Sequence, residues 1–224
     1  MLIWYGSYII LLPAVILGLY AQAKVSSAFG KWSRVASSRN MTGAQAAAYL
    51  LKAAGITNVP VEVSQGWLSD NYNPRDRVLR LSPDVYGTNS LAAIGVAAHE
   101  TGHAIQHAQG YAFMGLRTMM APAAQSSNLW LTLFVIGFLF HSPTMQNIGI
   151  IFFSGTVLFM MFTLPVEIDA SRRAVKMVES TGLLTAEEVP AVKEVLTAAA
   201  LTYVAAALMA ILQLARLLLL RSRD

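Results

Sequence analysis

Three of the chain's four histidines and one of its glutamates fall in one short stretch, residues 97–107, AAHETGHAIQH. Its neighbours are alanine-rich and apolar, a setting in which such polar groups are costly unless they are paired or hold a metal. His99 and His103 are four apart. On a helix they share a face, with Cβ atoms ~5–6 Å apart, so both imidazoles can reach one zinc ion. Glu100, next to His99, lies on a neighbouring part of the surface, where it can contact an activated water without being a ligand. This is the His-Glu-x-x-His pattern of zinc peptidases. With 4 histidines and 7 glutamates in 224 residues, composition alone predicts roughly 0.002 such matches, so chance is a poor explanation.

A catalytic zinc commonly has three protein ligands and one open position. The chain has no cysteine, which removes thiolate ligands, disulfides and a cysteine nucleophile. His107 lies ~12 Å along the helix axis from His99, too far for one ion. The spacing of the metzincin pattern would place a third histidine at position 109, which is Gln109. His107 is therefore read as a helix-surface residue or a support outside the ligand set. His141 lies in a short loop between apolar segments and is not expected to be a ligand. Glu167, in FTLPVEIDASRRA, is the candidate third ligand; the competing role is a first-turn acid favoured by the helix dipole after Pro165. Asp169 is its rival. It sits ~200° further round the helix and has Arg172 and Arg173 at i+3 and i+4 to pair with. Ala170, Ser171 and Ala174 share the Glu167 face and are small enough to let two helices pack closely.

The elements that carry these residues are mostly apolar. The chain is 55% hydrophobic and 12% charged, against about 25% charged in soluble domains, which points to a membrane protein. The net charge of +4 is spread beside apolar spans and suits membrane orientation rather than nucleic-acid binding. Residues 2–23 carry no charge and are long enough to cross a bilayer of ~30 Å. With no basic segment before them, they read as an anchor rather than a removed signal. Lys24, Lys31, Arg34 and Arg39 follow without an acid, which places that end in the cytoplasm. Residues 126–140 and 148–166 form an apolar hairpin, and residues 195–220 a last span with Arg216 near its end.

Between the first span and the hairpin, residues 44–54 read as a helix with Thr42 as N-cap and Gly55 as stop. Residues 59–64 and 77–82 read as strands, separated by a stretch rich in turn formers. Thr88, Asn89 or Ser90 can cap the histidine-bearing helix, which runs to Gly110. The expected division is an anchor at 1–23, a catalytic domain at 24–122, a transmembrane hairpin at 123–166, a helical segment with the third ligand at 167–194, and a C-terminal span at 195–224. Two crossings after the catalytic helix return Glu167 to its side of the membrane.

The segment LSDNYNPRDRVLRLSPDVYGTNSLAAIGVAAHETGHAIQHAQGY, with LPVEIDASRRA after it, resembles the YugP-type neutral zinc metallopeptidases of bacterial membranes. The resemblance covers most of residues 43–174. It implies histidine ligands at His99 and His103, a catalytic glutamate at Glu100 and a glutamate ligand at Glu167. A more distant similarity to HtpX-type proteases carries a Glu-x-x-Ala-Asp ligand motif. Glu167 and Ala170 match it, but Ser171 replaces the aspartate that would orient a histidine. The YugP-type pattern also has His and Asp where this chain has Asn71 and Asn73, so those two positions receive no role.

The expected fold is a mainly α membrane protein of about four transmembrane helices with a small α+β gluzincin-like zinc peptidase domain. The expected function is a membrane zinc endopeptidase in the bacterial plasma membrane, its active site at the cytoplasmic face, acting on peptide or protein substrates, membrane proteins among them. The partners implied are substrate and lipid bilayer, not nucleic acid. By analogy with sheet-edge recognition, the strand at residues 78–82 would pair with an extended substrate. Tyr72, Tyr86 and Tyr203 are candidates for stabilising an oxyanion, with none singled out. The competing readings are a membrane scaffold with a structural zinc site, in which Glu100 would have no purpose, and a metal transporter, which would place ionisable residues within its spans.

Overall fold

A computed structural model describes residues 6–66, 69–125 and 127–222. In chain order, a 3-10 turn (Ser7–Leu11) leads into α1 (Leu12–Trp32), followed by α2 (Gly43–Ala53), β1 (Val61–Val63), β2 (Asn71–Asn73), β3 (Val78–Leu81), α3 (Pro83–Tyr86), α4 (Leu91–Ala108), α5 (Ala112–Gln125), α6 (Ser127–Leu139), α7 (Pro143–Ser180) and α8 (Val189–Arg221). The chain is mainly helical with one small sheet. Among the described residues, three helical segments are long and apolar enough to cross a membrane: Ser7–Trp32, Pro143–Ser180 and Val189–Arg221. The chain divides into two compact units, one of residues 1–21, 112–165 and 201–224, the other of 22–111 and 166–200.

In the second unit, local chemistry places the helix starts. Thr42 caps α2 in a capping box, its hydroxyl accepting from Gln45 N–H while the Gln45 side chain accepts from Thr42 N–H. Of the three residues able to cap α4, Ser90 does so, accepting from Ala93 N–H. The three strands pair in the order β1-β3-β2, parallel between β1 and β3 and antiparallel between β2 and β3. This corrects two expectations. The turn-rich stretch holds a strand, β2, in register Asn71↔Arg80, Tyr72↔Leu79 and Asn73↔Val78. And β3 is the central strand, so its backbone is already paired on both sides and cannot receive a substrate. Trp67 and Leu68, within that stretch, lie outside the described residues.

The core of this unit joins α2, α4, α7 and α8. Leu50, Ile94, Ala98, Ala174, Val178, Leu183, Val192 and Leu196 are buried together. The first helix does not stop where its charge-free stretch ends at Ala23. It continues to Trp32, because Ala28 packs with Ala92, Val195 and Ala198 while Lys31 pairs with Glu194 at 3.0 Å. The segment expected as one helical stretch at 167–194 is split: α7 ends at Ser180, Gly182 turns at φ 61°, and α8 begins at Val189.

In the first unit, Phe134 of α6, Ile150, Phe153 and Val157 of α7, and Ala210, Leu217 and Leu220 of α8 form an apolar cluster. The α6–α7 hairpin turns through His141 (φ 51°) and is close-packed; a Cβ on Gly149 would stand 2.8 Å from the Trp130 carbonyl oxygen. Arg216, buried near the end of α8, donates to Ser7 Oγ at 2.9 Å and lies over the Tyr8 ring. The start of the first span and the end of the last are therefore side by side.

Candidate metal centre

The helix α4 presents His99 and His103 one turn apart, and α7 presents Glu167 to both. His99 Nε2 lies 3.1 Å and His103 Nε2 3.5 Å from the same oxygen, Glu167 Oε2. One ligand atom from each of the three residues falls within 4.8 Å of the others, so the group could hold a metal ion. Glu167 and His103 are buried, with side chains 3% and 9% exposed, and His99 is nearly so at 12%. Two imidazole nitrogens and a carboxylate oxygen are the donor types zinc takes.

The approach that makes this possible is between backbones. A Cβ on Gly102 would lie 2.6 Å from the Ala170 carbonyl oxygen, so α4 and α7 meet where neither has a side chain beyond a methyl group. Ala170 and Ala174 are fully buried at that seam, as their small size on the Glu167 face predicted.

The far nitrogens of both imidazoles are also held. His99 Nδ1 lies 3.1 Å from Ser171 Oγ. The serine that stands where a related motif has aspartate therefore still reaches the ring, as a neutral partner. His103 Nδ1 lies 2.9 Å from Gln106 Oε1. The Gln106 amide nitrogen donates to the Val166 carbonyl oxygen and to Asp169 Oδ2, both at 2.8 Å. Both partners only accept, which fixes which end of the amide is nitrogen. Oε1 must then accept from a protonated His103 Nδ1, leaving Nε2 with its lone pair towards Glu167 in the neutral ring. Burial disfavours the His103 cation, but in that form a protonated Nε2 donates to Glu167, and this bond with the charges of Glu100 and Glu167 outweighs burial and holds the pKa above the ordinary value.

Asp169 is not one of the three clustered residues. As expected it pairs with Arg173, Nε to Oδ2 at 2.5 Å. The expectation that it is otherwise turned away from the site needs correction, because through Gln106 it is tied to His103. Gln106 was missed in the sequence, although its position three residues after His103 on an apolar helix was the available signal.

Glu100 is buried, and its Oε2 accepts from the Tyr72 backbone N–H at 2.9 Å. The Tyr72 hydroxyl is 2.7 Å from His107 Nδ1. Tyr72 thus joins β2 to α4 at two points, one through Glu100 and one through His107, which is not among the clustered residues. Burial raises the Tyr72 pKa, against the lowering effect of Arg77. Of the three tyrosines considered for an oxyanion, Tyr72 alone is placed beside Glu100 by these contacts; Tyr86 ends α3, and Tyr203 and His141 belong to the other unit.

A paired-histidine helix, a carboxylate delivered by a second helix, and long apolar helices are the features expected of a membrane-associated zinc peptidase. The chain belongs to the family described as "Putative neutral zinc metallopeptidase", whose profile matches residues 7–222. It is 44% identical over 216 residues to the "Putative membrane protease YugP" of Bacillus subtilis, covering 95% of this chain and 96% of that protein. No solved structure matches it.

Proposed function

We propose that the chain is an integral-membrane zinc metalloendopeptidase with His99, His103 and Glu167 as zinc ligands and Glu100 as general base. The observation that carries this reading is the convergence of two imidazole Nε2 atoms on one Glu167 oxygen, with Glu100 next along the helix. A bound zinc would polarise the scissile carbonyl and acidify the attacking water. Glu100 accepts the water's proton and passes it to the leaving amine. The Tyr72 N–H holds the Glu100 carboxylate in place, and the Ser171 and Gln106 side chains hold the two imidazoles.

The reading includes four crossings of a bacterial plasma membrane, with α5 and α6 together forming the second, and the site at the cytoplasmic face. Its supports are the three long apolar helices, the basic residues after the first, and the relative named as a membrane protease. The test is Glu100→Gln. The variant should keep zinc, because glutamine leaves the ligand set intact. It should lose cleavage of an unfolded casein-type substrate by about 10²–10⁴-fold, because it cannot take the proton. A variant that cleaves at the parent's rate removes Glu100 from the mechanism. A parent that binds zinc and never cleaves leaves a metal-stabilised scaffold.

A further inference from the structure

Beyond the zinc site, in the same unit, α7 and α8 enclose a groove of about 430 Å³. Ile168, Val175, Leu196 and Ala200 give it apolar lining, and Arg172 and Lys176 of α7 and Lys193 of α8 line it as well. All three cations are exposed, and among the described residues none has a carboxylate within ion-pair distance. Glu179 is the single acid in the lining, which leaves the groove with a net charge of two positive.

The character of the groove changes along its length. Ile168 and Ala200 lie at one end, beside the charge-free stretches 148–166 and 201–215 of the same two helices. Lys176 and Lys193 lie further along, where both helices become polar. Apolar lining that adjoins charge-free stretches of both helices in sequence, together with cations that make no ion pair among the described residues, matches an amphiphile with a negative head. An acidic peptide would satisfy the charge but has no need of that apolar lining, and no strand edge lines the groove to hold its backbone.

We propose that this groove binds an anionic phospholipid of the surrounding bilayer. The headgroup phosphate would lie among Arg172, Lys176 and Lys193, and the glycerol and first acyl carbons on Ile168, Val175, Leu196 and Ala200. The proposal rests on the reading of α7 and α8 as membrane spans. Ser171 lines the groove and also meets His99 Nδ1, so the lipid site and the metal centre share a residue.

The test uses the full chain, purified in mild detergent and titrated with phosphatidylglycerol or phosphatidylcholine of identical acyl chains, with bound lipid counted by native mass spectrometry. One phosphatidylglycerol should be retained in preference to phosphatidylcholine. The pair Arg172→Gln and Lys193→Gln should weaken it roughly ten- to thirty-fold. Lys52→Gln, which changes an exposed cation on α2, should not. Zinc content equal to the parent's shows that the double variant is folded; if it is not, Lys193→Gln alone serves and should weaken retention several-fold. Equal retention of the two lipids, or an unchanged affinity in the folded variant, overturns the proposal. So does a soluble polyglutamate peptide that binds through the same cations more tightly than the lipid, which would make the groove a substrate site. Partition of the chain into phosphatidylcholine vesicles is measured alongside: a chain that inserts without discriminating loses only the lipid site, whereas one that stays in solution loses the membrane reading itself.

Discussion

At the scale of residues, the site is organised by what holds each imidazole from behind. His103 is oriented by Gln106, whose own orientation is set by two acceptors, Val166 O and Asp169 Oδ2. Gln106→Leu removes the acceptor for Nδ1–H while keeping the volume similar. Zinc affinity should drop by about 10–100-fold, read by competition with a chelator; an unchanged affinity would show that helix packing alone orients the ring. The same chain ranks the two carboxylates of α7. Glu167→Ala removes the oxygen on which both Nε2 atoms converge and should lose zinc and cleavage together. Asp169→Ala acts only through Gln106 and should lower zinc content partially, with some loss of stability from the Arg173 pair. Zinc per chain after dialysis against a weak chelator distinguishes them, and the reverse ranking would move the ligand role to Asp169.

At the scale of elements, the α4–α7 seam and the start of α8 make separate predictions. Gly102→Ala would place a methyl group 2.6 Å from the Ala170 carbonyl oxygen, and backbone cannot yield as a flexible side chain does. The variant should lose about 1–3 kcal/mol of stability and bind zinc weakly, since Glu167 rides on the displaced helix; thermal unfolding and metal titration together check it. Glu188, just before α8, accepts from Ser38 N–H at 2.6 Å and from Thr185 N–H at 2.9 Å. Burial opposes its ionisation, but these hydrogen bonds prevail and hold its pKa below the ordinary 4.5. A carboxylate with a depressed folded pKa adds stability above its unfolded value, and that stability is lost as pH falls through the folded value. Glu188→Gln should therefore cost about 1 kcal/mol at neutral pH, and little once the parent's carboxylate is itself protonated in strong acid. Unfolding measured across that range would show the two curves converging; parallel curves would exclude the ionised form as the cause. These elements also mark what sequence can reveal. Thr42, a cap for α4 somewhere in residues 88–90, and the His99–His103 spacing were legible because each works within one helix, over three or four residues. β2 was not, because Asn71, Tyr72 and Asn73 have turn composition and become a strand only through pairing with β3. Gln106 was visible as a polar residue, but its role needed Val166 and Asp169, about sixty residues away. The central place of β3 is likewise a property of the sheet, and no local pattern encodes it.

At the scale of the whole molecule, the His99–His103–Glu167 cluster constrains any topology in which the chain crosses a membrane. Helix α7 is a candidate span of 38 residues, and Glu167, towards its C-terminal end, meets His99 and His103. If α7 crosses, its first residues are on the opposite side from the histidines. The chain must then cross once more between Tyr111 and Pro143, and α5 and α6 are the helices in that interval. At 13 residues α6 is only ~20 Å long, short of a ~30 Å hydrocarbon core, which is why it does not qualify as a span alone. Together with α5, of 14 residues, it provides the length. The contact of Arg216 with Ser7 agrees with this parity, since an even number of crossings brings both ends of the chain to one side. The chain has no cysteine, so single cysteines report position without background. Ser38→Cys, after the first span, and Ser142→Cys, in the α6–α7 turn, should label from opposite faces with a membrane-impermeant maleimide. In intact cells Ser142→Cys should react and Ser38→Cys should react only after lysis. Labelling of both from outside would place the metal centre on the outer face and leave α5 and α6 lying along one side of the bilayer. Glu167 could then join the histidines only if α7 did not cross at all.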